Sequence, residues 1–115
     1  MADPALVGAY RDSINQVGMW CIFRRSVGEV PNVQKFHARV KARVWNFSPE
    51  EFRGGAKSGS RHVIVLEEDL ARRGFPVPVI AADSIEIVGG ERLTVVTNDT
   101  ETRAPAGAYD IVAIG

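Results

Sequence analysis

Few residues in this chain are of types that invite chemistry. Lys57 and Ser58 stand inside a glycine-rich stretch, Arg-Gly-Gly-Ala-Lys-Ser-Gly-Ser-Arg (53–61), which invites comparison with a phosphate-binding loop. That loop needs a glycine directly before the lysine and another five residues earlier. Those positions hold Ala56 and Glu51 here, and no helical pattern follows, so the comparison fails. His37 and His62 are the two histidines, and neither has Cys, Asp or Glu at ligand spacing, so no zinc site is legible. His37 reads as a polar surface residue. Glu67, Glu68 and Asp69 suggest a metal site or an acid–base pair, but Arg72 and Arg73 follow them. Acids first and bases last suit the dipole of a short helix, which is the simpler reading.

Cys21 is the sole cysteine, so no internal disulfide can form. It sits in an apolar run and reads as a small buried residue, which favours a reducing compartment. No nucleophile–base arrangement, nucleotide loop or metal cluster is legible. The expectation is a protein that is not an enzyme and uses no cofactor or metal.

What the sequence does offer is positive charge in one region. The formal net charge is zero, which argues against a stand-alone nucleic-acid binder held by a basic surface. Residues 24–61 nevertheless carry nine Lys/Arg (24, 25, 35, 39, 41, 43, 53, 57, 61) against three acids (29, 50, 51), a net of +6. Residues 62–115 carry four against nine, a net of −5, and residues 1–23 supply the remaining −1. Such polarity suits a subunit whose two sides meet different neighbours, or else reflects chance clustering on a solvated surface.

The elements that must hold these residues follow from periodicity. Asp3 as N-cap and Pro4 at the first helical position open a helix over 4–17. Leu6, Val7, Tyr10, Ile14 and Val17 give it one apolar face, and Gly18 fits its stop. Residues 19–26 read as a buried strand with Trp20 and Phe23 in the core, closed by a turn at Gly28–Pro31. In the next strand Lys35, His37, Arg39, Lys41 and Arg43 share one face, and Phe36, Ala38, Val40, Ala42 and Val44 the other. Its basic face is either simply wet or meets something acidic, a neighbouring subunit or a phosphate backbone.

Ser48-Pro49-Glu50-Glu51 is a helix-start signature ended almost at once by Gly54, and a glycine-rich loop follows. Residues 63–66 form a short strand, and residues 67–73 a short helix stopped by Gly74. Phe75-Pro76-Val77-Pro78 reads as an extended linker. Ile85 and Ile87, a two-residue hairpin at Gly89-Gly90, and Leu93, Val95 and Val96 give two strands. A polar loop from Asn98 to Gly107 then leads to a last strand over 109–114. The expected fold is mainly β: a small antiparallel barrel or sandwich of about six strands, an N-terminal helix packed outside, and one or two short helical turns. It forms a single domain over 1–115. No apolar run approaches the ~20 residues that cross a bilayer, and Met-Ala-Asp-Pro does not open a signal peptide, so a cytoplasmic, membrane-free protein is expected.

The order of these parts resembles a known family. It runs from an N-terminal helix to a strand ending Arg24-Arg25 and then a long strand. Ser-Pro-Glu-Glu-Phe-x-Gly-Gly-x-x-x-Gly-x-Arg (48–61), Val-Ile-Val-x-x-x-Asp-Leu (63–70), Phe-Pro-x-Pro (75–78) and Asp-x-Ile-x-Ile-x-Gly (83–89) follow, with a last strand from Tyr109 to Gly115. The chain resembles the small head–tail connector proteins of long-tailed phages and gene transfer agents, known as head completion, head–tail joining or stopper proteins. One departure is the ending Ala113-Ile114-Gly115, where the family pattern places an arginine before the final glycine.

The resemblance implies a structural subunit made in the bacterial cytoplasm and used in the neck of a virion or phage-like particle. There it would form a homo-oligomeric ring, a hexamer or dodecamer, between the portal and adaptor proteins and the tail terminator or tail proteins. A loop between two strands would face the axial channel and help retain packaged double-stranded DNA without reading its sequence. In this chain that loop is Arg53, Gly54, Gly55, Lys57, Ser58, Gly59 and Arg61. The basic strand face of Lys35, Arg39, Lys41 and Arg43 would then serve ring or partner contact. The alternative is a small β-barrel that binds nucleic acid through residues 35–43. Its weakness is aromatic supply, because single-strand platforms need exposed rings among the cations and only Trp45 and Phe47 are candidates near this face.

Overall fold

The computed structural model describes residues 2–46 and 60–115. Its first element, α1 (Pro4–Val17), starts as the sequence dictates, with the Asp3 carboxylate accepting from the Ala5 amide at 2.9 Å. Ile14 is buried, and Val7 and Tyr10 pack with it on Ile64, Leu66, Ala106, Ala108 and Trp45. Leu6 and Val17, at the ends of the expected stripe, stay exposed. Gly18 does not stop the helix through a left-handed turn, for its backbone is extended at φ −77°. Space is the reason for glycine: a Cβ there would stand 2.3 Å from the Ile14 carbonyl oxygen and 3.1 Å from that of Ala42.

Beyond α1 come β1 (Met19–Val27), β2 (Gln34–Asn46), β3 (Ser60–Leu66), α2 (Glu67–Arg72), β4 (Ser84–Ile87), β5 (Arg92–Asp99), a 3-10 turn (Ala104–Ala106) and β6 (Ala108–Ile114). The six strands close into a barrel in the order β1-β2-β3-β6-β5-β4, with β4 returning to β1. Every pairing is antiparallel. Cys21, Phe23, Ala38, Val40, Ala42, Val63, Val65, Ile85, Leu93, Val95, Ile111 and Ala113 fill the interior. These are alternate positions on each strand, as a closed sheet of period two requires.

β2 changes partner along its length. Gln34 to Ala42 pair with β1, whereas Arg43 to Asn46 pair with β3. At its far end Asn46 stands opposite Arg61, so residues 47–59 leave and rejoin the barrel at neighbouring positions. The expected helix start at 48–51 and the loop residues 53–59 lie outside the described residues.

Several expectations need correction. Trp20 is not core but 42% exposed. Counting parity from Cys21 and Phe23, both fully buried, puts Trp20 and Ile22 on the outside of the barrel. The β4–β5 connection spans residues 88–91 rather than Gly89-Gly90 alone, with Glu86 paired to Arg92 and the Ile87 amide donating to the Glu91 carbonyl. Val96 lies in β5 as expected, and a bulge between Val95 and Thr97 inserts it between paired residues at 44% exposure. β5 also runs on through Asp99, into the stretch expected to be loop.

The segment after α2 is no spacer either. Phe75 and Val79 enter the core, with the Phe75 ring edge-on to Phe23 at 6.2 Å. Arg25 fastens this segment. Its guanidinium grips the Asp83 carboxylate at 2.8 and 2.7 Å, donates to the Pro78 carbonyl, and lies over the Phe75 ring. Asp83 is 2% exposed and also accepts from the Ile80 amide at 3.0 Å. A buried carboxylate held by this many donors is the arrangement in which charge burial is tolerated.

Candidate functional site

Folding cancels part of the charge asymmetry read along the sequence, at three of the nine cations of its basic middle. Arg24 pairs with Glu86, Arg25 with Asp83, and Arg61 with Glu91 at 3.1 Å, each a cation of the basic middle against an acid of the C-terminal half. Arg11 of α1 pairs with Glu68 and Asp69, so these acids of α2 also fasten the helix to the barrel. Glu86 is held below the usual carboxylate range by hydrogen bonds from Arg24 and then Arg92. The three adjacent acids therefore act in structural contacts: Glu67, the third, faces the Tyr109 hydroxyl, whose ionisation is disfavoured by burial first and by Glu67 second.

Among the described cations of the basic middle, those without a carboxylate partner lie on the outer face of β2. Lys35, His37, Arg39 and Arg43 are exposed and Lys41 is half-buried, while Ala38, Val40 and Ala42 face the core. None of Lys35, Arg39, Lys41 and Arg43 has a carboxylate partner among the described residues. Their surroundings differ along the strand. Arg43 lies over the Trp45 ring at 5.3 Å and reaches the Ser13 hydroxyl at 3.4 Å, beneath α1. Lys41 donates to the Asn15 carbonyl at 3.3 Å, near the end of α1. Arg39 is exposed and lies 4.8 Å from the centre of the Trp20 ring. Of the residues expected in a channel-facing loop, Arg61 alone is described, and it belongs to β3 rather than to a loop, with its charge taken by Glu91.

A cleft of about 250 Å³ opens beside Trp20 and Lys41, walled by Arg72, Arg73, Arg11, Asn15, Val40 and Asp69. A second, of about 380 Å³, lies between α1 and the barrel and includes Tyr10, Arg43, Trp45 and Arg103. Under it runs a polar chain. The His62 ring stacks on Trp45 at 5.2 Å and its Nδ1 stands 3.2 Å from Asp110, which accepts from Arg103 at 3.2 Å. Arg103 in turn donates to the Tyr10 hydroxyl at 2.7 Å. This chain ties α1, β3, β6 and the 3-10 turn together. His62 thus sits with a carboxylate that sequence spacing could not reveal, since β3 and β6 bring the two together across the sheet. Among the described residues no three His, Cys, Asp or Glu side chains stand close enough to hold a metal.

Comparison with known proteins finds no matching family model, no matching curated protein and no matching solved structure.

Proposed function

We propose that this protein is a non-enzymatic structural subunit of the neck of a phage or phage-like particle. In that reading it forms a ring between portal and adaptor on one side and the tail on the other. Its β2–β3 connection, residues 47–59, helps retain packaged double-stranded DNA. The observation that carries the proposal is where this connection leaves the barrel. Its stems are clamped side by side through the Asn46–Arg61 pair, and it holds Arg53, Lys57 and three glycines, 54, 55 and 59. Connections of this length in a compact domain usually serve a function. Cations on such a segment suit contact with phosphates that ignores sequence.

Two further observations support the reading. The motifs from Val63 to Gly89 sit in a six-stranded barrel with an N-terminal helix outside it, the fold the periodicity led one to expect. The uncancelled cations of β2 give the subunit a face to set against an acidic neighbour. The test is assembly. The purified protein, mixed with the portal, adaptor and tail components of its own particle, is expected to form rings seen by electron microscopy and light scattering. A strictly monomeric protein that never joins these components overturns the proposal.

A further inference from the structure

Where the outer face of β2 meets that of β1, its cations gather around an aromatic ring. Trp20 stands opposite Lys41 in the β1–β2 register and diagonal to Arg39, and both cations lie over its ring, at 5.6 Å for Lys41 and 4.8 Å for Arg39. The ring keeps 42% of its surface in water. The cleft beside it continues the positive charge with Arg72 and Arg73, neither of which has a carboxylate partner among the described residues. The acid in that cleft, Asp69, is already held by Arg11. Four uncancelled cations thus surround one exposed indole.

From this arrangement we propose that the face is a binding site for single-stranded nucleic acid. An unpaired base takes the place of Arg39 and Lys41 over the Trp20 ring, and these two, swung aside, take the phosphates on either side together with Arg72 and Arg73. The ring supplies what the basic strand lacked as a platform, because stacking needs an exposed aromatic among cations and every base offers a π-face. A duplex hides its base faces and cannot use the indole in this way. A protein partner fits less well. The centre of a protein interface is depleted of charge, whereas here the cations sit directly over the aromatic. The site draws on no residue of 47–59, so it does not need the neck reading, although it shares Arg39 and Lys41 with the β2 face that reading sets against an acidic neighbour.

The test is a titration of the full-length protein with a short oligodeoxythymidylate, followed by tryptophan fluorescence and by anisotropy of a labelled strand. Quenching is expected at low salt, with affinity falling as salt rises. Trp20→Ala should weaken binding roughly tenfold to a hundredfold, the range for one lost base stack, while Trp20→Phe retains most of it. Replacing Arg39 and Lys41 with Gln should flatten the salt dependence by about 0.7 in log–log slope per lost phosphate contact. Trp45→Phe serves as the fluorescence control, and circular dichroism checks that each variant folds.

Four outcomes overturn the proposal. One is the absence of quenching at low salt. Another is a Trp20→Ala variant that binds like the parent. The third is a duplex that competes as well as the single strand. The fourth is loss of self-association or of adaptor binding in Trp20→Ala with no change in affinity for the strand, which assigns the face to a protein contact. Ring assembly is read separately, so failure here leaves the neck proposal standing.

Discussion

Two side chains show what the barrel asks of single residues. Asp83 is a carboxylate in the interior, and Arg25 is the cation that makes its burial tolerable. Removing one partner of such a pair leaves an uncompensated charge, at a cost of about 3–5 kcal/mol. Arg25→Met is therefore expected to lower the unfolding free energy by about that amount, read by urea denaturation. The double replacement Arg25→Met with Asp83→Leu should recover much of the loss; a double variant as weak as the single one would show that the pair does more than neutralise itself. Asp99 acts differently, on the surface. Its carboxylate accepts from the Thr102 hydroxyl and from the amides of Thr102 and Glu101, which in that order hold its pKa down to about 2. A depressed carboxylate contributes stability above its unfolded value, 3.8, and loses it as pH falls toward about 2. Asp99→Ala should accordingly lower stability at neutral pH and flatten the acid limb of the stability profile in that window.

At the scale of elements, those whose pattern is local were legible. The alternation of β2, the cap of α1 and the middle of its stripe (Val7, Tyr10, Ile14) appear in the fold as the residues predict, whereas Leu6 and Val17 stay exposed. Trp20 was misplaced because an aromatic in an apolar run invites a core reading. Parity from Cys21 gave the better signal. The roles of Arg25, Phe75 and Asp83 were not legible, since they depend on residues far apart in sequence meeting at one end of the barrel. The same holds for His62 with Asp110, joined only by the β3–β6 register. Gly18 was read correctly as a helix stop for the wrong reason. Because a Cβ would press on the Ile14 and Ala42 carbonyls, Gly18→Ala should cost on the order of 1–3 kcal/mol, the usual range for overpacking. Calorimetry of that variant checks it, and an unchanged melting temperature would mean that the junction yields freely.

For the whole molecule, part of the uneven charge along the sequence turns out to be internal glue: Arg24, Arg25 and Arg61 are matched across the fold by Glu86, Asp83 and Glu91. Among the described residues, what remains for partners is chiefly the outer face of β2 and Arg72 and Arg73 at the end of α2. The proposed role of residues 47–59 belongs at this scale. Deleting residues 55–59 should leave thermal unfolding nearly unchanged, since the paired stems at Asn46 and Arg61 close the barrel without them. Particles built with the shortened protein should assemble yet retain less DNA, read as nucleic acid per particle. Full retention would detach this segment from gating, and a large fall in melting temperature would show that it packs on the barrel.

The change of partner along β2 has a kinetic consequence. A strand paired to one neighbour through Ala42 and to another from Arg43 onward is two zippers laid end to end. Opening the β3 end breaks none of the β1 rungs, and opening the β1 end spares those to β3. Local openings of this kind draw on different free energies within one native state. In hydrogen exchange the amides of 34–42 and of 43–46 should thus fall into two protection classes within a single continuous strand, and a ligand gripping one end should slow exchange there first.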